Sequence, residues 1–355
     1  MFALALTVAN LASSGVAVAA GVRRSTPDRR STPASLPTMA VAGRAQMVAQ
    51  VTGAASSNHT LARWDIAGAD LGHSFWYRGS LYMVFGDTFG PSSTNWRSNT
   101  MARIDSPRPA SGLRFTTMLT ARGGGGAAEL LGSLKVAGIE QTVIPTNGIA
   151  VGDRMYLHYM SVRQWVIPGR WTINYSGLAY SDDGGRTWVK DPVTRWGADS
   201  NFGQVAFVRS GGYVYLFGIA AGRFGGVALA RVAPSQMLDP EAYRYWSGRA
   251  WARSRAAATV VTAPVGELSV RWSAFAHRWL MMYLDESRAA IVLRSASSLT
   301  GPWSAEQVVT TAAQYPELYA PYMLPMDTGS KVYFTMSQFG SYEVYLMRTS
   351  LTLGR

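Results

Sequence analysis

The 355-residue chain contains no cysteine, which excludes a disulfide framework, a thiolate metal site and a lipidated N-terminal cysteine. Its stability must come from an apolar core. Histidine is scarce too: His59, His73, His158 and His277 are the four in the chain, and their scatter argues against a zinc centre. Charged residues make up only 15% of the chain, and although the net charge is +12, no dense basic run is present. Residues 1–50 concentrate Arg23, Arg24, Arg29, Arg30 and Arg44 against the acid Asp28, and the remaining excess is spread thinly. This excludes a nucleic-acid footprint, and a mildly cationic surface of this kind suits an anionic cell envelope. The glycine run RGGGGAAELLG (122–132) follows no strand–helix unit, so it is read as a mobile loop and not as a dinucleotide-binding turn.

What is abundant points to β structure. Hydrophobic residues make up 48% of the chain, which carries 12 Trp, 17 Tyr, 12 Phe and 36 Gly, the profile of an aromatic, turn-rich all-β protein. Residues 1–20, MFALALTVANLASSGVAVAA, form an apolar stretch ending in Ala17-Val18-Ala19, which reads as a secretory signal peptide with its cleavage site. No Lys or Arg precedes the stretch, which leaves open an upstream start or an uncleaved anchor, although it is short for a spanning helix. Residues 21–50 are expected to be a flexible linker and residues 51–355 the catalytic domain. The expected location is secreted or in the cell envelope, with no stable membrane insertion after cleavage, and the chain is expected to act as a monomer.

The domain is repetitive. Five hairpins recur: SFWYRGSLYMVFGD (74–87), GIAVGDRMYLHYMS (148–161), VAFVRSGGYVYLFGIA (205–220), SVRWSAFAHRWLMMYLD (269–285) and YMLPMDTGSKVYFTMSQ (322–338). Each is followed by a third strand, at 99–106, 176–185, 225–232, 289–297 and 342–350. Tyr82, Tyr156, Tyr215, Met281 and Tyr333 mark equivalent points separated by 74, 59, 66 and 52 residues. Such units suit the blades of a propeller. We therefore expect a five-bladed β-propeller, closed by a strand at Thr60 to Ile66; the competing arrangement is a β-sandwich. SDDGGRTW (181–188) fits the Asp-box turn, S-x-D-x-G-x-T-W, found between outer strands of propeller blades in sialidases and other carbohydrate-active proteins, where it is structural.

Asp70 and Asp87 bracket the first hairpin. Asp70 lies 9 residues before Gly79 in the turn and Asp87 lies 8 after it, so the two should be neighbours at the end away from the turn. Adjacent or diagonal cross-strand positions would put the carboxyls about 5 to 9 Å apart, the range glycosidases use. Alternatively, each aspartate is a turn or cap residue. Registering the other hairpins on the first adds Asn147, Gln204, Glu267 and Tyr319 near the starts of inner strands, and Asp285 and Glu286 in the place of Asp87. Trp96 and Trp272 could supply an apolar platform for a sugar ring, although core packing explains either tryptophan alone.

GADLG (68–72) and FGDTFG (85–90), one hairpin apart near the start of a secreted five-repeat β protein, resemble the actinobacterial endo-D-arabinanases, long catalogued as a domain of unknown function. The resemblance covers Thr60 to the C-terminus. It implies a propeller glycoside hydrolase that cuts internal α-linkages in the D-arabinan of arabinogalactan and lipoarabinomannan. It also implies an inverting pair at Asp70 and Asp87; Asp70 is read as base and Asp87 as acid, in an order the sequence does not fix. No cofactor is required on this reading; a calcium ion in the channel is possible, as in other five-bladed glycosidases. The alternatives are a non-catalytic glycan-binding propeller and a sialidase-like enzyme. The latter needs an arginine triad and a Tyr/Glu nucleophile pair, and no such set announces itself.

Overall fold

The structure, a computed structural model, describes residues 39–92, 95–120 and 124–354. The expected signal peptide, and the expected linker up to residue 38, lie outside the described residues. The rest of the linker expectation is corrected. Met39–Ala42 and Gln46–Gln50 are strands, both antiparallel to the last strand of the chain, Glu343–Gly354. They close the ring of blades, so the closing strand does not come from Thr60 to Ile66. Thr60–Trp64 is instead one helical turn that buries Thr60 and Trp64 on the same side.

Five antiparallel sheets make an all-β, five-bladed propeller. The inner and second strands are Gly68–Tyr77 and Ser80–Phe89 in blade 1, Thr142–Val151 and Arg154–Ile167 in blade 2, and Gln204–Ser210 and Tyr213–Ile219 in blade 3. Leu268–Ser273 and Arg278–Asp285 serve in blade 4, and Leu318–Met323 and Lys331–Gln338 in blade 5. Every expected hairpin is present. The third strands are Thr100–Ile104, Arg170–Ser181, Gly225–Val232, Ala290–Ala296 and Glu343–Gly354.

Inner strands are packed by a neighbouring blade on each face, which is why Leu318–Met323 is buried at all six positions while the closing strand Gln46–Gln50 has none buried. Blade 1 meets blade 2 through Phe75, Tyr82 and Met101 against Val143, Leu157 and Tyr159. Blade 4 meets blade 5 through Leu280 and Met282 with Phe334 and Met336. The loop at 124–132 is held in its second half: the Asn99 carboxamide accepts from Leu130 N and Leu131 N and donates to the carbonyls of Leu131 and Val143. Among the described residues no helix is long and apolar enough to cross a membrane.

The Asp-box forms a closed hydrogen-bonded turn at the end of the third strand of blade 2. Asp183 accepts from Ser181 Oγ (2.8 Å), Thr187 N (2.9 Å) and Thr187 Oγ1 (2.7 Å), and Ser181 Oγ accepts from Gly185 N. Although burial opposes it, these donors hold the Asp183 carboxyl down at about 2. A group depressed in this way stabilises the fold above its unfolded value and loses that contribution as pH falls toward 2. Asp183→Ala should cost about 1–3 kcal/mol, read as a lower midpoint in urea at pH 7, with the gap to the parent narrowing toward pH 3.

Candidate active site

The inner strand of blade 1 is not a regular ladder. Its register with the second strand slips on both sides of Leu71, and Leu71 (φ 70°) and Gly72 (φ 76°) are both left-handed. That backbone is uncommon for leucine. Blade 5 holds it in place: Ser337 Oγ accepts from Leu71 N (2.9 Å), and Thr335 Oγ1 donates to Gly72 O (3.1 Å). The bulge aims the Asp70 side chain across the hairpin at Gly86, where an added Cβ would come within 2.4 Å of Asp70 Oδ1. The D-L-G motif thus supplies a bulge and the G-D-T motif the room for it. Thr88 then ties off the second strand, its hydroxyl donating to Gly86 O and sharing a 3.0 Å bond with Thr100.

Asp70 and Asp87 come together, as the hairpin register implied, but in different surroundings. Asp87 Oδ1 accepts from Thr142 Oγ1 (2.6 Å) and Trp96 Nε1 (2.9 Å). Burial raises its pKa to about 6, against these two donors and the Lys135 ammonium, which favour the charged form. Asp70 accepts at Oδ2 from Tyr319 OH (3.0 Å), while its Oδ1 is buried without a partner. Burial, then the charge on Asp87, raise Asp70 to about 8 against hydrogen bonds from Tyr319 and Tyr342, and Glu267 adds to the rise. At neutral pH the pair therefore holds one proton, on Asp70.

Opposite Asp70, Glu267 is clamped by Arg223, whose Nε lies 3.1 and 3.2 Å from the two carboxylate oxygens and whose third nitrogen reaches Glu286 at 3.5 Å. The same guanidinium lies 5.0 Å from the centre of the Tyr319 ring. The turn between the second and third strands of blade 2 rests on this cluster, Gly169 O accepting from Arg223 N. Gln204 is buried and donates to Gly222 O (3.0 Å), fixing the loop that carries Arg223.

Three expected site residues do not join the pair. Trp272 pairs with Trp279 at the turn end of its hairpin, the face opposite the aspartates. The Asp285 side chain caps a short helical turn, accepting from Ser287 N, Ser287 Oγ and Arg288 N. Asn147 is buried well inside its inner strand, which begins five residues earlier at Thr142, and its Oδ1 meets the Tyr322 hydroxyl. Thr142 is the blade 2 residue that reaches the pair.

Sequence reasoning missed Thr142, Arg223 and Tyr342, none of which stands in a motif that marks it.

Around the axis, His73 packs 4.9 Å from Tyr322, whose hydroxyl contacts Asn147 Oδ1 at 3.4 Å. Burial lowers His73 to about 4, so it is neutral near pH 7. A calcium ion takes about six to eight oxygen ligands. This wall offers an imidazole, a carboxamide and a phenol hydroxyl, and among the described residues no group of three or more His, Asp or Glu could hold a metal ion.

The family model for a domain of unknown function, DUF4185, matches residues 55–348. The chain belongs to this family. Relatives include the notoamide biosynthesis cluster protein J of Aspergillus sp. (strain MF297-2), 33% identical over 79% of this chain and 81% of that protein. Protein J' of Aspergillus versicolor is 32% identical over 79% of this chain and 83% of its own. Among solved structures, an exo-β-1,3-galactanase from Phanerochaete chrysosporium in complex with β-1,3-galactotriose has TM-score 0.52 at 13% identity, covering 87% of this chain and 64% of that one. A hydrolase candidate from Bacteroides ovatus has TM-score 0.58 at 12% identity, covering 81% and 86%. At these identities the two structures show that a DUF4185 chain shares their fold.

The raised carboxyls have a cost in stability. A carboxyl whose folded pKa lies above its unfolded value binds its proton more tightly in the native state, so its contribution is lost as pH rises from about 4 toward 8. Asp70→Asn should therefore raise Tm at pH 9 by a few degrees (about 2–4 °C), a gain that shrinks at pH 5, as differential scanning calorimetry at the two pH values can check.

Proposed function

We propose that this DUF4185 protein is a secreted glycoside hydrolase that cleaves internal α-D-arabinofuranosidic linkages of cell-envelope D-arabinan by inversion. The observation that carries the hydrolase reading is the coupled pair at Asp70 and Asp87, two adjacent carboxyls whose surroundings separate their proton affinities. The arabinan assignment draws on the paired D-L-G and G-D-T motifs. The glycan-bound galactanase shares the fold and adds a carbohydrate precedent for such a propeller.

On this reading the roles run opposite to the order first expected. Asp70, protonated at neutral pH, is the general acid: its proton passes to the glycosidic oxygen as the bond to the anomeric carbon breaks. Asp87, held ionised by Thr142 and Trp96, is the base. It takes a proton from the water whose oxygen bonds to the opposite face of that carbon. The cycle ends with Asp87 protonated and Asp70 ionised, and exchange with solvent restores both. Tyr319 and Tyr342 position Asp70, and the Arg223–Glu267 clamp holds Tyr319 from behind.

The test is incubation of the purified protein with mycobacterial-type D-arabinan and, separately, plant L-arabinan, with products sized by chromatography. Oligosaccharides should arise from D-arabinan alone, and Asp70→Asn and Asp87→Asn should each lower the rate by at least about 100-fold. If neither glycan is cut, yet parent and both variants retain D-arabinan equally, the protein is a glycan-binding propeller instead. For the parent, kcat/KM should follow a bell, rising through about 6 as Asp87 ionises and falling through about 8 as Asp70 loses its proton. A profile still rising above pH 9 would refute Asp70 as the acid.

A further inference from the structure

Phe339 is 63% exposed, although it stands on a firmly held turn. Phe339 N donates to Glu317 O (3.1 Å) and Tyr342 N to Phe339 O (3.2 Å). Gln338 Nε2 reaches Pro316 O (2.9 Å), and Gly340 is packed against the Glu317 carboxylate. An aromatic ring kept in water by a rigid turn forgoes the gain of burial, and here it does not stand alone. Its centroid lies 6.3 Å from that of Tyr342; Tyr342 lies 5.2 Å edge-on from Phe89; and Phe89, 36% exposed, stacks on Trp96 at 6.2 Å.

The row ends in the chemistry on both sides. Tyr342 O accepts from Ala69 N beside Asp70 and its side chain favours the charged form of that carboxyl, and Trp96 donates to Asp87. Four rings from blades 1 and 5 thus form a continuous apolar edge along the two carboxyls, running outward to its most exposed member at Phe339. The far side of the site is different, since Arg223, Glu267 and Glu286 are paired with one another there. A ligand laid on the row meets aromatic rings over a length no single sugar covers, with polar groups on its other side.

We propose that Phe339, Tyr342, Phe89 and Trp96 form an extended glycan subsite that holds several consecutive sugar residues on one side of the scissile bond, with Phe339 binding the residue farthest from it. This rests on the hydrolase reading and gives it a substrate class: a chain, not a terminal disaccharide. Apolar C–H faces of sugars cover aromatic rings well, and an aromatic contact is worth about tenfold in affinity.

The experiment compares parent, Phe339→Ala and Phe339→Trp on D-arabinan polymer and on the shortest D-arabino-oligosaccharide the parent cleaves. The readout is the ratio of kcat/KM on polymer to kcat/KM on the short substrate. Phe339→Ala should lower that ratio about tenfold, through KM on polymer, and Phe339→Trp should restore it. An unchanged ratio, with Tm confirming a folded variant, overturns the subsite and leaves the hydrolase reading standing.

A second arm needs no turnover. Asp70→Asn is titrated by calorimetry with D-arabino-, L-arabino- and β-1,3-galacto-oligosaccharides of increasing length, with and without Phe339→Ala. Affinity that grows with length and flattens on removing Phe339 supports the subsite even if the parent hydrolyses nothing. Affinity for all three series that is independent of length, or absent, overturns it.

Discussion

The proximity of two carboxyl groups inside protein is the constraint on which the rest of this site depends. Two neighbouring charges in a partly desolvated place cannot both be ionised cheaply near neutral pH. The surroundings decide which one keeps the proton: at Asp70 burial and the charge on Asp87 outweigh the Tyr319 bond and leave Oδ1 without a partner, whereas Thr142 and Trp96 both donate to Asp87. That asymmetry is built by the backbone. A bulge at Leu71 and Gly72, secured by blade 5, turns Asp70 over a glycine that leaves it room. The two short motifs are therefore a single device divided between adjacent strands.

Much of the architecture was legible because propeller blades are local. Inner and second strands are joined by tight turns, so each hairpin shows itself as two apolar runs about a Gly-containing turn, and five such hairpins fix the number of blades. The closing strands were not legible. Met39–Ala42 (MAVA) and Gln46–Gln50 (QMVAQ) lie at the outside of blade 5, where little is buried, so neither shows the apolar–polar alternation that marks a strand. The turn at Thr60 was read as a strand because five residues are too few to distinguish the two periods.

The site divides along the same line. Asp70 and Asp87 lie one hairpin apart, so counting from the turn was enough to pair them. Thr142, Arg223 and Tyr342 come from three other blades, and only the closing of the ring brings them together. Trp272 shows the reverse error: its residue type suited a sugar platform, but its distance from the turn puts it on the other face. Asp285 shows a third, in which a carboxylate at the right place along the strand is consumed in capping the next turn.

The closure of blade 5 also bears on how the molecule can be cut. Met39–Gln50 and Glu343–Gly354 are neighbours in one sheet, and the turn bearing Phe339 and Tyr342 lies against the strand bearing Asp70. Opposite ends of the described chain thus share both the outer seam and the reactive centre. A protease that nicks an outer loop leaves the two halves clasped, whereas loss of either end removes a wall of the site together with the seam. Within residues 39–354, removing either end breaks the sheet that closes the ring.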